Sequence, residues 1–348
     1  MKKIYVRAYC QSNLGDDLFV LQLARRFPGT RFYLYAVGEH QRAFRQQSNI
    51  LLPSTADRLR RKLRHTLRLP GKEPFDGQGL DGQAVIGGSI LWENAPVDFS
   101  DGTSPCFLIG ANCDAAYSDD FRQRLGQSLA RLTDCCFRDS HSFSLFRALP
   151  NVRWAPDVLF GWKPTQQPQP GAGVGISVVS AKGCFSSASL RQTYFETMAA
   201  LIDLCRERQI PVTLLSFCRA EGDEEAIREI LSRTKDPAYA GQCLYAGDPE
   251  AMLDAMNGCK TIVATRFHAM ILGWVLGKNV VPVIYSEKQT QVLADVGFSG
   301  PLWNAQAGQL LPARSLLDAV LSEAGRLETE TLSRQAENQF AALAAFLE

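Results

Sequence analysis

Short apolar runs of strand length alternate with longer segments of helical periodicity along nearly all of this 348-residue chain. That alternation admits few folds besides parallel sheets covered by helices. Residues 3–10 (KIYVRAYC), 31–37, 84–88, 106–111, 134–138 and 152–156 read as strands. Helical segments at 17–27, 119–132 and 141–149 fall between them. The pattern breaks at 161–173 (GWKPTQQPQPGAG), where three prolines, three glycines and three glutamines suit neither a helix nor a central strand. It then restarts, with strands at 174–180, 211–217, 260–265 and 280–285. Helices follow at 188–209, 222–233, 249–257, from His268 and from Lys288, and residues 313–348 read as helical throughout. The expectation is an α/β protein of two Rossmann-like parallel-sheet domains. They cover 1–160 and 174–312, with a linker at 161–173 and a helical C-terminal tail at 313–348 that packs back on the first domain.

Composition narrows the function. The hydrophobic fraction of 46% is that of a globular protein, and the net charge of +1 supplies no global field for nucleic acid. Anion binding therefore has to come from local arrangement. Ten cysteines are present, but no Cys-x-x-Cys pair, and Cys135 and Cys136 are adjacent. Cys10, Cys136 and Cys218 sit in apolar runs, so reduced, buried thiols are expected and no metal site is. The start, Met1-Lys2-Lys3-Ile4, runs into a strand without the apolar core of a signal peptide. No apolar run reaches the roughly 20 residues that span a bilayer. A cytoplasmic setting is the expectation.

In open parallel sheets, ligands bind beyond the carboxyl ends of the strands, and a cleft between the two domains is the expected place. The chemistry-bearing residues cluster at such ends. Thr265-Arg266-Phe267-His268 joins the strand 260–265 to a helix, which favours an anion at the helix N-terminus. Arg266 adds a planar fork for carboxylate or phosphate, and His268 can move a proton near neutral pH. Lys288, in Tyr285-Ser286-Glu287-Lys288 after the next strand, is a second candidate cation. In the first domain Arg138 closes the strand 134–138, and Ser140 or Ser142 is positioned to cap the next helix. Gly87, Gly88 and Ser89 end another strand, where bare backbone lets a ligand approach closely. In Ser12-Asn13-Leu14-Gly15-Asp16-Asp17 one carboxylate suffices to cap the helix. Asn13 and the other of Asp16 and Asp17 are then available to bind acceptor hydroxyls or act as a base. Neither G-x-G-x-x-G nor a Walker loop is present.

Residues 55–72 differ in kind. Arg58, Arg60, Arg61, Lys62, Arg64, Arg68 and Lys72 surround Leu59, Leu63 and Leu67, which repeat every four residues. This is a basic amphipathic helix. It suits either an anionic membrane surface or a solvated face whose leucines pack on the core.

Taken in order, these motifs resemble the polysaccharide pyruvyl transferase family. The resemblance rests on Asn13-Leu14-Gly15-Asp16, Gly87-Gly88, Arg138-Asp139 with Ser142, Asp157 to Phe160 (DVLF), Asp223, and above all RFHAMILGWVLGKNVVPVIYSEK. It implies a glycosyltransferase-B-like arrangement. It also implies transfer of a pyruvyl group from phosphoenolpyruvate to two hydroxyls of one sugar, with a ketal formed and phosphate released. On that basis Arg138 and Arg266 would bind the donor's phosphate and carboxylate, and Lys288 and the Gly87-Gly88-Ser89 turn, by their places at strand ends, would add further donor contacts. His268 would be the acid and no cofactor would be needed. The acceptor would be an exopolysaccharide precursor, lipid-linked, reached from the inner face of the membrane. Ser89 stands where the family usually has a third glycine, and 109–114 (IGANCD) lacks its frequent Gly-Pro. Two alternatives stay open: a nucleotide-sugar glycosyltransferase of the same architecture, and a non-catalytic protein that binds anionic glycans.

Overall fold

The chain divides into two compact units. Unit 1 comprises residues 1–11, 16–158 and 335–348; unit 2 comprises residues 12–15 and 159–334. The computed structural model describes residues 1–66, 75, 78–94, 97, 99, 104–180, 184–185, 187–305 and 312–348, with the backbone alone at 60–62 and 64–65.

In unit 1, β1 (Lys3–Arg7) leads to α1 (Leu14–Arg26), then β2 (Arg31–Leu34), β3 (Ile50–Leu51) and α2 (Thr55–Thr66). Next come β4 (Gly82–Ile86), β5 (Cys106–Ala111), α3 (Asp119–Leu129), β6 (Asp134–Phe137), α4 (Ser140–Phe146) and β7 (Val152–Trp154). Every pairing in this sheet is parallel, and its order is β3-β2-β1-β4-β5-β6-β7. All six residues of β5 and all four of β6 are buried. Such strands face helices on both sides, which is why they read as continuous apolar runs. Ser118 caps α3 by accepting the Phe121 N–H.

In unit 2, β8 (Val174–Ser177), α5 (Ala188–Glu207), β9 (Val212–Ser216), α6 (Asp223–Leu231), β10 (Gly241–Leu244) and α7 (Pro249–Asn257) follow in order. Then come β11 (Thr261–Ala264), α8 (Phe267–Val275), β12 (Asn279–Ile284), α9 (Glu287–Asp295), β13 (Trp303–Asn304) and α10 (Ala313–Leu321). The sheet is again parallel, ordered β10-β9-β8-β11-β12-β13. Tyr194, Met198, Leu201, Ile202 and Cys205 of α5 pack with Ile176, Leu214 and Val263 of the sheet in one core. Asp248 caps α7 with Pro249 in its first turn.

Three strands were not legible in the sequence. β3 and β13 are two residues long, and β10 (GQCL) is an edge strand with mostly exposed residues, so none carries a hydrophobic pattern. The 161–173 segment is tied into unit 2. Asn257 Nδ2 donates to the Gln167 carbonyl at 3.0 Å, and the Lys278 ammonium donates to the Gln169 carbonyl at 2.6 Å. Residues 313–348 are not helical throughout: α11 (Glu330–Ala336) and α12 (Ala341–Leu347) follow a non-helical stretch after α10.

The chain's end belongs to unit 1, and one buried side chain fastens it there. Gln339 Nε2 donates to the carbonyls of Phe137, Ala155 and Pro156 at 3.1, 2.7 and 3.1 Å. Phe137 ends β6, and Ala155 and Pro156 follow β7. All ten cysteines are free thiols, and seven of them are buried, though Cys10 is half-buried. Among the described residues no helix is long and apolar enough to cross a membrane, and no group of ligating side chains could hold a metal ion.

Gln339→Leu keeps the side-chain volume and removes the shared donor. It is expected to cost about 1–3 kcal/mol, because the Ala155 and Pro156 carbonyls lose the Gln339 donor. An unchanged denaturation midpoint would show that Gln339 does not fasten the terminus.

Candidate functional site

Each sheet reverses its winding direction once. In unit 1 the reversal lies between β1 and β4, and in unit 2 between β8 and β11. Loops leave such a point in opposite directions and open a crevice at the carboxyl ends of the strands. In unit 1 the Gly87-Gly88-Ser89 turn follows β4 and Arg138 follows β6; in unit 2 Arg266 and His268 follow β11 and Lys288 follows β12.

In unit 2 the turn after β11 is held from three sides. Ser177 Oγ, at the end of β8, accepts the backbone N–H groups of Thr265 and Arg266 at 3.0 and 3.1 Å. Gln289 Nε2, on α9, donates to the Thr265 carbonyl at 3.1 Å. The hydroxyls of Tyr194 and Thr265 lie 3.2 Å apart. Arg266 is the N-cap residue of α8 in extended conformation, and His268 lies in the first turn of that helix.

Arg266 does not stand as an open cation. Its side chain is 12% exposed, and Asp223 grips it bidentately: Nε donates to Oδ2 at 3.1 Å, and Nη2 donates to Oδ1. Asp223 is itself anchored, since its Oδ2 also accepts the N–H groups of Phe217 and Cys218 at 2.8 and 3.0 Å. The remaining arm, Nη1, donates to Glu221 Oε2. Burial raises the Asp223 carboxyl above its ordinary range despite the opposing pull of Arg266. At Glu221 burial also pushes upward. There the charge and hydrogen bond of Arg266, the Asn13 amide and Lys288 together outweigh it and hold the carboxyl low. Lys288 is close enough for its charge to act on Glu221 and on the Cys184 thiol, which burial nonetheless raises. Burial likewise raises the Tyr285 phenol.

The 12–15 segment belongs to unit 2 and shapes this region. The Leu14 N–H donates to the Phe217 carbonyl at 3.0 Å, and Asn13 bridges to Cys218. Asn13, not an aspartate, caps α1: its Oδ1 accepts the Gly15 N–H at 3.1 Å. Its Nδ2 donates to Glu221 Oε1 at 3.0 Å. Asn13 was expected to bind acceptor hydroxyls, but both ends of its amide are engaged. Gly15 lets the imidazole in, since a Cβ there would stand 1.7 Å from His268 Nδ1. Only glycine permits that approach.

In unit 1 the equivalent feature is Arg138. It is 2% exposed, unlike the open donor contact expected from the sequence. Nη1 donates to Asp157 Oδ2 at 3.2 Å, and Nη2 donates to Asn112 Oδ1 at 2.6 Å. Gly88 makes room for it, because a Cβ there would lie 2.1 Å from Nη1. The guanidinium thus ties together the ends of β4, β5, β6 and β7. Ser89 stays exposed beside this turn, and Gly87 places Asp16 Oδ1 within 3.5 Å of where its own Cβ would be. Asp17 is buried at 1% exposure while Asp16 is half-buried, so Asp16 is the more accessible carboxylate. Burial, then Asp17 and Asp16, pushes the Cys10 thiol up and keeps it neutral. The cap of α4 is Asp139, whose Oδ1 accepts the Ser142 N–H at 2.7 Å; neither Ser140 nor Ser142 is the N-cap residue.

Sequence reasoning missed Glu221, Ser177, Gln289 and Asn112 entirely, and gave Asp223 and Asp157 no role of their own. Asp157 carried a local signal as a lone acid shortly after a strand, whereas Asp223 lies within the acidic run 221–225 where α6 begins. Unit 2 also holds a cavity of about 530 Å³ bounded by Trp162, Trp274, Lys163, Lys278 and Arg326. It lies toward the amino ends of the strands, away from these loops. Lys163 and Lys278 there donate to Ser333 and to the Gln169 and Asn257 carbonyls.

Removing one partner of a buried ion pair leaves the other uncompensated. Asp223→Asn is expected to lower stability by about 3–5 kcal/mol in denaturant titration. A loss below about 1 kcal/mol, the level of an exposed pair, would contradict a buried anchoring role.

Solved structures share this fold across nearly the whole chain. MnaA of S. aureus, solved with UDP, aligns over 100% of this chain and 97% of its own, with a TM-score of 0.62 and 11% identity. HepE of Anabaena, also solved with UDP, aligns over 100% and 99%, with a TM-score of 0.56 and 11% identity. E. coli ADP-heptose lipopolysaccharide heptosyltransferase II aligns over 93% and 98%, with a TM-score of 0.51 and 15% identity. The fold is therefore that of the glycosyltransferase-B group. No curated protein matches the sequence. A family model does match, over residues 13–287, a span that runs from the Asn13 cap through Arg138, Asp223, Arg266 and His268 to Glu287. This chain belongs to the polysaccharide pyruvyl transferase family, and it is a transferase.

Proposed function

We propose that the chain transfers the enolpyruvyl group of phosphoenolpyruvate to two hydroxyls of one sugar in a polysaccharide or lipid-linked oligosaccharide precursor. The observation that carries this reading is the pairing, on one turn of unit 2, of a rigidly oriented arginine with a histidine seated against Gly15. A small polyanionic donor calls for fixed cations, and protonation of a carbon calls for an acid that stays where it is placed.

In the proposed sequence, protonated His268 gives its proton to the methylene carbon of the donor, and the neighbouring carbon becomes cation-like. A sugar hydroxyl attacks that carbon and loses its proton. The carbon–oxygen bond to phosphate then breaks, and a second hydroxyl of the same sugar closes the ketal as its proton is lost. Of the two protons released, one restores His268 and the other leaves with phosphate. Arg266 and Lys288 hold the anionic groups, and Asp223 fixes the orientation of Arg266. Asp16, next in the chain to Gly15, orients the acceptor. Arg138 enters as the pin of the Gly87-Gly88-Ser89 turn, because its guanidinium is buried and already paired. No cofactor takes part in this sequence.

We further propose that α2 rests on an anionic bilayer and brings the enzyme to lipid-linked acceptors at the inner face of the membrane. Leu59 and Leu63 are 66% and 57% exposed, so they do not pack on the core. A basic helix with outward leucines suits a bilayer surface. Residues 67–72 of the segment expected to form this helix lie outside the described residues.

Phosphate release from phosphoenolpyruvate with a sugar acceptor tests the chemistry. His268→Ala is expected to lose about 10²-fold or more in turnover. Near-wild-type turnover in the folded variant would remove His268 as the acid. Arg266→Lys is also expected to be damaging, since lysine cannot fill the bidentate grip of Asp223. Sedimentation with anionic vesicles tests the surface. Wild type should bind at low salt and Leu59→Ser/Leu63→Ser should not; absence of binding by wild type would remove the membrane role.

A further inference from the structure

We infer that Glu221 is a stand-in for the donor's anionic group: it occupies the outward arm of Arg266 and is displaced when an anion binds. The inference rests on the reading of Arg266 as the donor's anion contact.

The two carboxylates on Arg266 are held very differently. Asp223 is fully buried and accepts two backbone N–H groups besides the guanidinium, so it cannot leave without abandoning them. Glu221 is 36% exposed and ends a single 3₁₀ turn, Arg219–Glu221, which Gly222 follows at φ +84°. Its hold is the Nη1 contact with Arg266 and the amide of Asn13 at 3.0 Å. An ion pair with one solvent-accessible partner is held less firmly than a fully buried one.

Charge gives a reason for displacement. One guanidinium between two carboxylates leaves the trio with one net negative charge, and such a group repels a polyanion. With Glu221 swung away, Arg266 and Asp223 balance, and the field of Lys288 is no longer spent on Glu221. A carboxylate or phosphate oxygen arriving at Nη1 then meets the donor geometry that Glu221 now satisfies. The Asn13 amide becomes available to the same ligand. Glu221 would thus screen the site. A strongly charged anion displaces it, whereas a neutral sugar gains nothing by doing so.

The test is calorimetric binding of inorganic phosphate and of phosphoenolpyruvate to wild type, Glu221→Gln and Glu224→Gln, each checked for folding by thermal denaturation. Glu221→Gln keeps the side chain's size and an acceptor for Asn13 but loses the competing charge. Glu224, 25% exposed and 3.7 Å from Arg219, controls for removing a nearby negative charge. The expected result is affinity about tenfold higher in Glu221→Gln for both anions, with Glu224→Gln close to wild type. Higher affinity for phosphate but none for phosphoenolpyruvate would keep the stand-in and overturn the donor reading. Measurable binding that is equal or weaker in Glu221→Gln would overturn the stand-in and leave the donor reading intact. An equal gain in both variants would reduce the effect to general charge and overturn the specific claim. No binding of either anion to any of the three proteins would overturn both.

Discussion

The buried bidentate pair of Asp223 and Arg266 is the contact on which unit 2's site depends. Asp223 is committed to the end of β9 through two backbone N–H groups, and Arg266 to the end of β11 through its place as N-cap of α8. A salt bridge between them therefore fixes the distance between two loops that flank β8. It also fixes the direction of a guanidinium whose third arm points outward to Glu221. A lysine could balance the charge but could not fix an orientation, which is the reason for arginine at this position. His268 follows two residues later, so the same anchor sets where the imidazole begins.

Unit 1 uses the same device for a different end. Arg138 pairs with Asp157 and Asn112 and fills the space left open by Gly88, so that four strand ends are tied by one side chain. In both units an arginine at a strand's end, paired with acidic or amide partners, ties neighbouring loops into a fixed surface. Burying a cation in this way costs desolvation, and the carboxylate and amide partners offset it. The difference lies in exposure. Arg138 is closed off at 2%, whereas Arg266 keeps one arm near solvent.

Much of the fold was legible because parallel strands buried on both faces are long apolar runs, and β5, β6, β11 and β12 are of that kind. β3, β10 and β13 were not, because short or exposed edge strands carry no such pattern. Among site residues, Arg266 and His268 announced themselves by standing at a strand end and a helix start together. Their partners did not. Asp223 and Glu221 lie more than 40 residues away, and nothing local reveals that a distant acid will close on a given arginine. The same limit explains why Arg138 looked like an open cation and why Asn13 looked available. Burial and pairing are tertiary facts, and sequence spacing reveals only that a charge sits at a strand's end.

The turn of unit 2 that carries Arg266 is proposed to take phosphoenolpyruvate rather than a nucleotide sugar, although similar folds have been solved with UDP. Thermal denaturation with each ligand addresses it directly, because a ligand that binds only the native state raises the melting temperature. The expected result is stabilisation by phosphoenolpyruvate, absent in Arg266→Lys, and none by UDP-sugars. Stabilisation by a UDP-sugar, with no response to phosphoenolpyruvate, would contradict it.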